Sequence, residues 1–166
     1  MRFRLSCIAV VALLCVGCAS LEGLRGLIQA PNFSQIDGRP SEIRLNGSGL
    51  GGGGGATVRI WTRVSNPNAF GLTLGTLRGT LNLEGSRAAT VDFPFGLPLQ
   101  ARGEAEVPID INVDFQDLPG LGQAITRAIS RQPIGYSLDG TIGVSAGPFG
   151  QPTFGPMTLL RGELRR

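Results

Sequence analysis

"VRIWTRVSNPNAF", residues 58–70, decides the fold. Val58, Ile60, Thr62 and Val64 share one face of an extended chain, and Arg59, Trp61 and Arg63 share the other. Alternation with period two is the pattern of a half-buried strand. Asn66-Pro67-Asn68 ends it. Proline fixes φ and brings no N–H, which suits the second position of a β-turn. The flanking Asn side chains can bond nearby backbone groups and replace the lost ladder bonds. The triplet therefore reads as a turn lock.

The same period recurs along the chain. Ile43 and Leu45 alternate with Glu42, Arg44 and Asn46 to give a first strand. Leu72 and Leu74 have one parity, and Leu77, Leu81 and Leu83 the other, so Gly75 is expected to mark a bulge. "LEGSRAA" reads as a hairpin around Gly85-Ser86. "TVDFPFGLPL" reads as a short edge strand broken by Pro94. In "GEAEVPIDINVDF", Val107, Ile109, Ile111, Val113 and Phe115 face one way and Pro108, Asp110, Asn112 and Asp114 the other. "DLPGLGQAITRAIS" is helical, with Leu118, Leu121, Ala124, Ile125, Ala128 and Ile129 as its apolar stripe. Asp117 is its candidate cap, and Pro119 sits in its first turn. "IGYSLDGTIGV" places Tyr136, Leu138, Ile142 and Val144 on one face with Gly140 as a gap, and Leu160 and Leu164 close the series. Twenty-six Gly and eleven Pro in 166 residues favour turns and strands. The expected fold is all-β: an antiparallel β-sandwich of six or seven strands with one short helix.

The N-terminus, "MRFRLSCIAVVALLCVGCAS", carries Arg2 and Arg4 and then an apolar run too short to span a bilayer. It resembles the bacterial lipoprotein signal. Gly17 and Cys18 fit that pattern, while Cys15 stands where Leu is usual. The resemblance implies a signal over residues 1–17, lipid on Cys18, and a tether over 18–40 whose Leu21, Leu24, Leu27 and Ile28 have helical spacing. The domain would then be 41–166. Ala19 after the cysteine implies the outer membrane, facing the periplasm. Cys7 and Cys15 would leave with the signal, so the mature domain must stand on its core and not on disulfides. Without Arg2 and Arg4, thirteen Arg face twelve acids.

These counts exclude several function classes. There is no basic patch and no nucleic-acid motif. The chain has no His, which removes the commonest general base and metal ligand. It has no mature free thiol and no Gly-x-Ser-x-Gly. Gly47-x-Gly49-x-x-Gly52 is formally a dinucleotide fingerprint, but a strand follows where a helix N-terminus is needed. Asp110-x-Asn112-x-Asp114 has the start of a calcium loop, yet Phe115 stands in place of its Gly and Leu121 in place of its closing Glu. We expect no catalytic, cofactor or metal site.

The four blocks "VRIWTRVSNPNAFGLTLGTLRGTLNLEG", "LPLQARGEAEVPIDINVDF", a short helix and "IGYSLDGTIGV", in that order, resemble the type-2 late embryogenesis abundant proteins. These are also called water-stress and hypersensitive-response (WHy) domains. Asn66, Pro67 and Asn68 match the signature turn. Leu99, Ala101 and Gly103 match the approach to the alternating strand, and Tyr136, Leu138 and Gly140 match the late strand. The resemblance spans residues 30–166, with the pentaglycine insert as a departure. It implies a fibronectin III/immunoglobulin-like sandwich and a non-enzymatic protein that protects during drying, freezing or related water stress. The expected partners are the membrane, through lipid on Cys18, and stress-labile client proteins; the domain is expected to be monomeric. An alternative is an envelope module that holds an apolar ligand or a partner protein in a groove or at a sheet edge. Arg59, Trp61 and Arg63 are its candidate contact patch. An exposed Trp61 would favour that patch, and one covered by the helix or the N-terminal segment would be core.

Overall fold

The computed structural model describes residues 28–46, 54–114 and 122–165. The signal, Cys18, the leucines before Ile28, the first three residues of the pentaglycine run, Phe115 and the first turn proposed for the helix lie outside the described residues. Eight strands follow in order: β1 (Asn32–Gln35), β2 (Ser41–Asn46), β3 (Gly55–Ser65), β4 (Leu72–Leu83), β5 (Ser86–Leu99), β6 (Glu104–Asp114), then helix α1 (Gly122–Ile129), then β7 (Ile134–Ser145) and β8 (Thr153–Arg165).

β3 is the organising strand. Along its full length it pairs with β6, from Gly55 opposite Asp114 to Ser65 opposite Glu104. On its other side β2 takes its first half and β1 its second. A second layer runs β8-β7-β4-β5. β2 links the layers through a short pairing with β8, Ser41 with Leu164 and Glu42 with Arg165. β5 and β6 do not pair, so the sandwich stays open along that seam. The inward faces of both layers form one core, which includes Val58, Ile60, Ile109, Leu77, Leu138 and Leu164. An unpaired sheet face of this length would expose a large apolar area. Burying it is the main drive to fold, at roughly 25 cal/mol per Å².

The expected sandwich stands, with five differences. The β2–β8 pairing is parallel, so the fold is not antiparallel throughout. There are eight strands among the described residues, because residues 32–35, read above as tether, pair with β3. Only Phe33 is apolar in that stretch, so backbone bonding and not patterning makes it a strand. β5 is not broken at Pro94. Pro94 lies where the β4–β5 register shifts, and an edge strand at such an irregularity tolerates the missing donor. The β4–β5 hairpin turns at Glu84-Gly85, whose φ values are +48° and +78°, one residue earlier than expected. Lastly, α1 buries Ala124 and Ala128, while Ile129, at its last position, is 63% exposed. The two alanines set the buried line, and Ile129 falls off it.

The bulge at Gly75 is present. The β4–β5 and β4–β7 registers both shift there, and Leu72, Leu74, Leu77, Leu81 and Leu83 are all buried across the change of parity. Further along, Gly79 sits opposite Gly140. A Cβ on Gly140 would lie 2.8 Å from the Cα of Gly79, and one on Gly79 would lie 2.9 Å from the Cα of Gly140. The gap read at Gly140 is thus a close approach of two backbones.

Candidate functional site

Two places gather the residues that the sequence singled out. The first is the pole formed by the β3–β4 turn. Asn66 and Asn68 are almost wholly buried, at 2% and 4% exposure. The Asn66 amide donates to the carbonyls of Phe70 and Gln100, both at 2.8 Å. Its carbonyl accepts from the Asn68 N–H at 3.0 Å and the Asn68 Nδ2 at 2.9 Å. All four hydrogen-bonding positions of one amide are filled. Asn68 then reaches the N-terminal segment. Its Oδ1 accepts from the Gln29 N–H at 2.8 Å, and its Nδ2 donates to the Gln29 carbonyl at 2.9 Å. The backbone adds Asn66 N–H to Gly103 carbonyl at 2.9 Å and Arg102 N–H to Asn68 carbonyl at 3.0 Å. The triplet is a turn, and it also bolts three distant segments together.

The second place is the outer face of β3. Arg59, Trp61 and Arg63 stand there side by side, as the alternation requires. Arg59 meets Asp110 through two bonds, of 2.6 and 2.8 Å. Arg63 meets Glu106 at 2.8 Å and Glu104 at 3.4 Å. Asn46, Thr57 and Asn112 continue the ladder at 3.2 Å spacings. The hydrogen bond from Arg59 holds the Asp110 carboxyl below its ordinary pKa against a smaller opposing effect of burial. Asp110 and Asn112 are thus engaged with neighbouring strands. Trp61 is half-buried, with the Arg39 guanidinium 4.0 Å above its ring. The N-terminal segment does cover it, though by one cation and not by a packed core.

The model of the type-2 late embryogenesis abundant family, described as "Late embryogenesis abundant protein", matches residues 62–158, more than half of the chain. The chain belongs to this family. Its fold is similar to the solution structure of a protein from Arabidopsis thaliana, at 15% identity and a TM-score of 0.52 over 84% of this chain and 79% of that one. A late embryogenesis abundant (LEA) protein solved in solution is similar at 18% identity and a TM-score of 0.47, over 95% and 88% of the two chains. No curated protein matches significantly.

Within this LEA type-2 domain, several polar partners were not legible in the sequence. Gln29 and Arg39 lie in a stretch read as tether, 39 and 22 residues from their partners Asn68 and Trp61. Asp139 accepts from Asn82, Ser137 and Thr158, joining β4, β7 and β8; these bonds, the one from Thr158 above all, lower its pKa. No local spacing announces such a junction.

Tyr136 offers a direct test of the interior. It is buried, with its hydroxyl 3.5 Å from Ser41 Oγ, and burial pushes its pKa up. The folded state then favours the neutral phenol. Its contribution is complete below the unfolded pKa of about 10 and is lost as pH rises through the folded value. Tyr136 is the single tyrosine of the chain, so an alkaline absorbance titration reports it alone. It should titrate later in the folded protein than in denaturant. Tyr136→Phe should flatten the fall of stability above pH 10.

Proposed function

We propose that this LEA type-2 protein is a non-enzymatic envelope lipoprotein. It is held by lipid on Cys18 at the periplasmic face of the outer membrane, and protects proteins or membranes during desiccation, freezing or related water stress. The observation that carries the reading is how the outer face of β3 is built. Arg59, Arg63 and Arg39 each lie against a carboxylate of β6 on an adjoining strand. Exposed pairs of this kind contribute little in dilute solution. Their attraction grows as the surrounding dielectric falls, which is what drying does to a surface. Such a domain keeps its shape as water leaves and can stand between clients that would otherwise meet.

A second reading, a module for an apolar ligand or a partner, is favoured by the open seam between β5 and β6. Phe93, Phe95 and Leu97 of β5 are only partly buried there, with the two Phe rings 4.9 Å apart. One experiment separates the readings. A drying-sensitive enzyme is dried and rewetted with residues 19–166, or with equal mass of an unrelated small sandwich protein. Activity preserved only by this chain supports protection. Equal preservation by both reduces the effect to crowding and moves the binding module ahead.

A further inference from the structure

The Asn66–Asn68 pole is also where the chain from Cys18 enters the domain. Gln29 is held there through both backbone groups, donating and accepting with one Asn68 side chain as it would with a neighbouring strand. Ile28, just before it, is buried. Cys18 precedes Ile28 by ten residues, so a lipid on it lies within about 35 Å of this pole even at full extension. The other pole is a full strand length further away, since the twelve residues of β4 span roughly 40 Å.

The surface of the near pole is distinctive. Its four segments, 28–31, 66–71, 99–103 and 146–152, contain a single charged residue, Arg102. Arg102 is exposed, as are Ala69, Ala101, Pro148 and Gln151. Phe149, 38% exposed, packs at a tilt against Phe70 with ring centroids 4.8 Å apart. An aromatic pair at the tip of a domain, beside a cation and with no carboxylate in these segments, suits the headgroup region of an anionic bilayer.

We propose that this pole is the membrane-facing end of the domain: Asn68 fixes the entering chain, Phe149 dips into the headgroups and Arg102 meets their phosphates. The inference rests on the reading of Cys18 as the lipid anchor. It makes the signature turn an orienting device. The outer face of β3 then stands roughly perpendicular to the membrane, open to the periplasm.

The test uses the full processed chain in vesicles of phosphatidylethanolamine and phosphatidylglycerol that carry a nitroxide headgroup lipid. A fluorophore is placed by Gln151→Cys at the near pole, or by Gln123→Cys on α1 at the far one. Mass spectrometry first establishes the acyl chains. The label at 151 should be quenched several-fold more than the label at 123. Phe149→Ser, at an exposed site, and Arg102→Glu should each reduce quenching at 151. Equal quenching at both positions on an acylated chain, or stronger quenching at 123, overturns this inference and leaves the anchor intact. A mature chain without acyl mass overturns the anchor reading and this inference with it.

Discussion

Gly140→Ala should unfold this domain at temperatures where the parent is intact. The added methyl would collide with the Arg78 carbonyl and lie 2.8 Å from the Cα of Gly79. Both obstacles are backbone in the paired strand β4, so no rotamer change relieves them. Gly155, with φ +110°, stands on the other side, where its own Cβ would be 2.5 Å from the Gly140 carbonyl. β7 therefore cannot move aside from β4 without meeting β8. Overpacking ordinarily costs 1–3 kcal/mol, and a rigid backbone contact belongs at or above the top of that range, so about 3 kcal/mol or more is expected. At roughly 2–4 °C per kcal/mol for a chain of this size, the melting temperature should fall by about 10 °C. Gly143→Ala is the control. Its nearest neighbour would be 3.8 Å away, which is ordinary contact. Its melting temperature should stay close to the parent's. Calorimetry on the two variants decides the matter, since equal effects would show that loss of glycine, and not the close approach, is what β7 feels.

This glycine marks the division between what the sequence shows and what it hides. Where one strand face is buried and the other is wet, side-chain chemistry repeats every second residue. β3, β6 and β7 were legible for that reason, and Gly75 was legible because the repeat changes parity there. Gly140 was visible as a gap in a repeat, but a gap does not say what approaches it. Strands set by the ladder and not by burial leave no such trace. β1 has one apolar residue in four and belongs to the fold because β3 offers it unpaired backbone groups. Gln29 and Arg39 lie on either side of it, and their partners cannot be read without that pairing. Arg59, Trp61 and Arg63 share one face as the alternation requires, but the period does not show what meets their charge. Arg59 and Arg63 are neutralised by residues 51 and 43 positions along the chain, and only the β3–β6 register brings those together.

The second large effect is expected at Asn66. Its side chain could be read as a local turn lock, because Pro67 and Asn68 are adjacent. Its reach to Gln100, 34 residues away, is tertiary. Asn66→Leu keeps the branched shape, with bulkier ends, and removes every side-chain hydrogen bond. The Phe70 carbonyl and the Asn68 N–H would then face methyl groups, while the Gln100 carbonyl would keep the Gly103 N–H at 3.0 Å. A buried polar group left without its partner costs about 1–3 kcal/mol, so the two together should cost about 2–6 kcal/mol. Asn66→Asp is the sharper probe. It is nearly isosteric and keeps the acceptor toward Asn68, but it aims a carboxylate oxygen at the carbonyls of Phe70 and Gln100, which repel it. At neutral pH it should destabilise as severely as Asn66→Leu. As pH falls, a protonated carboxyl regains one O–H donor, so part of the stability should return. The parent should show no such recovery. Urea unfolding midpoints measured at neutral and acidic pH test this directly. If Asn66→Asp is as stable as the parent at neutral pH, the two carbonyls find their donors elsewhere, and the turn is held by Pro67 and the Gly103 and Arg102 backbone bonds alone.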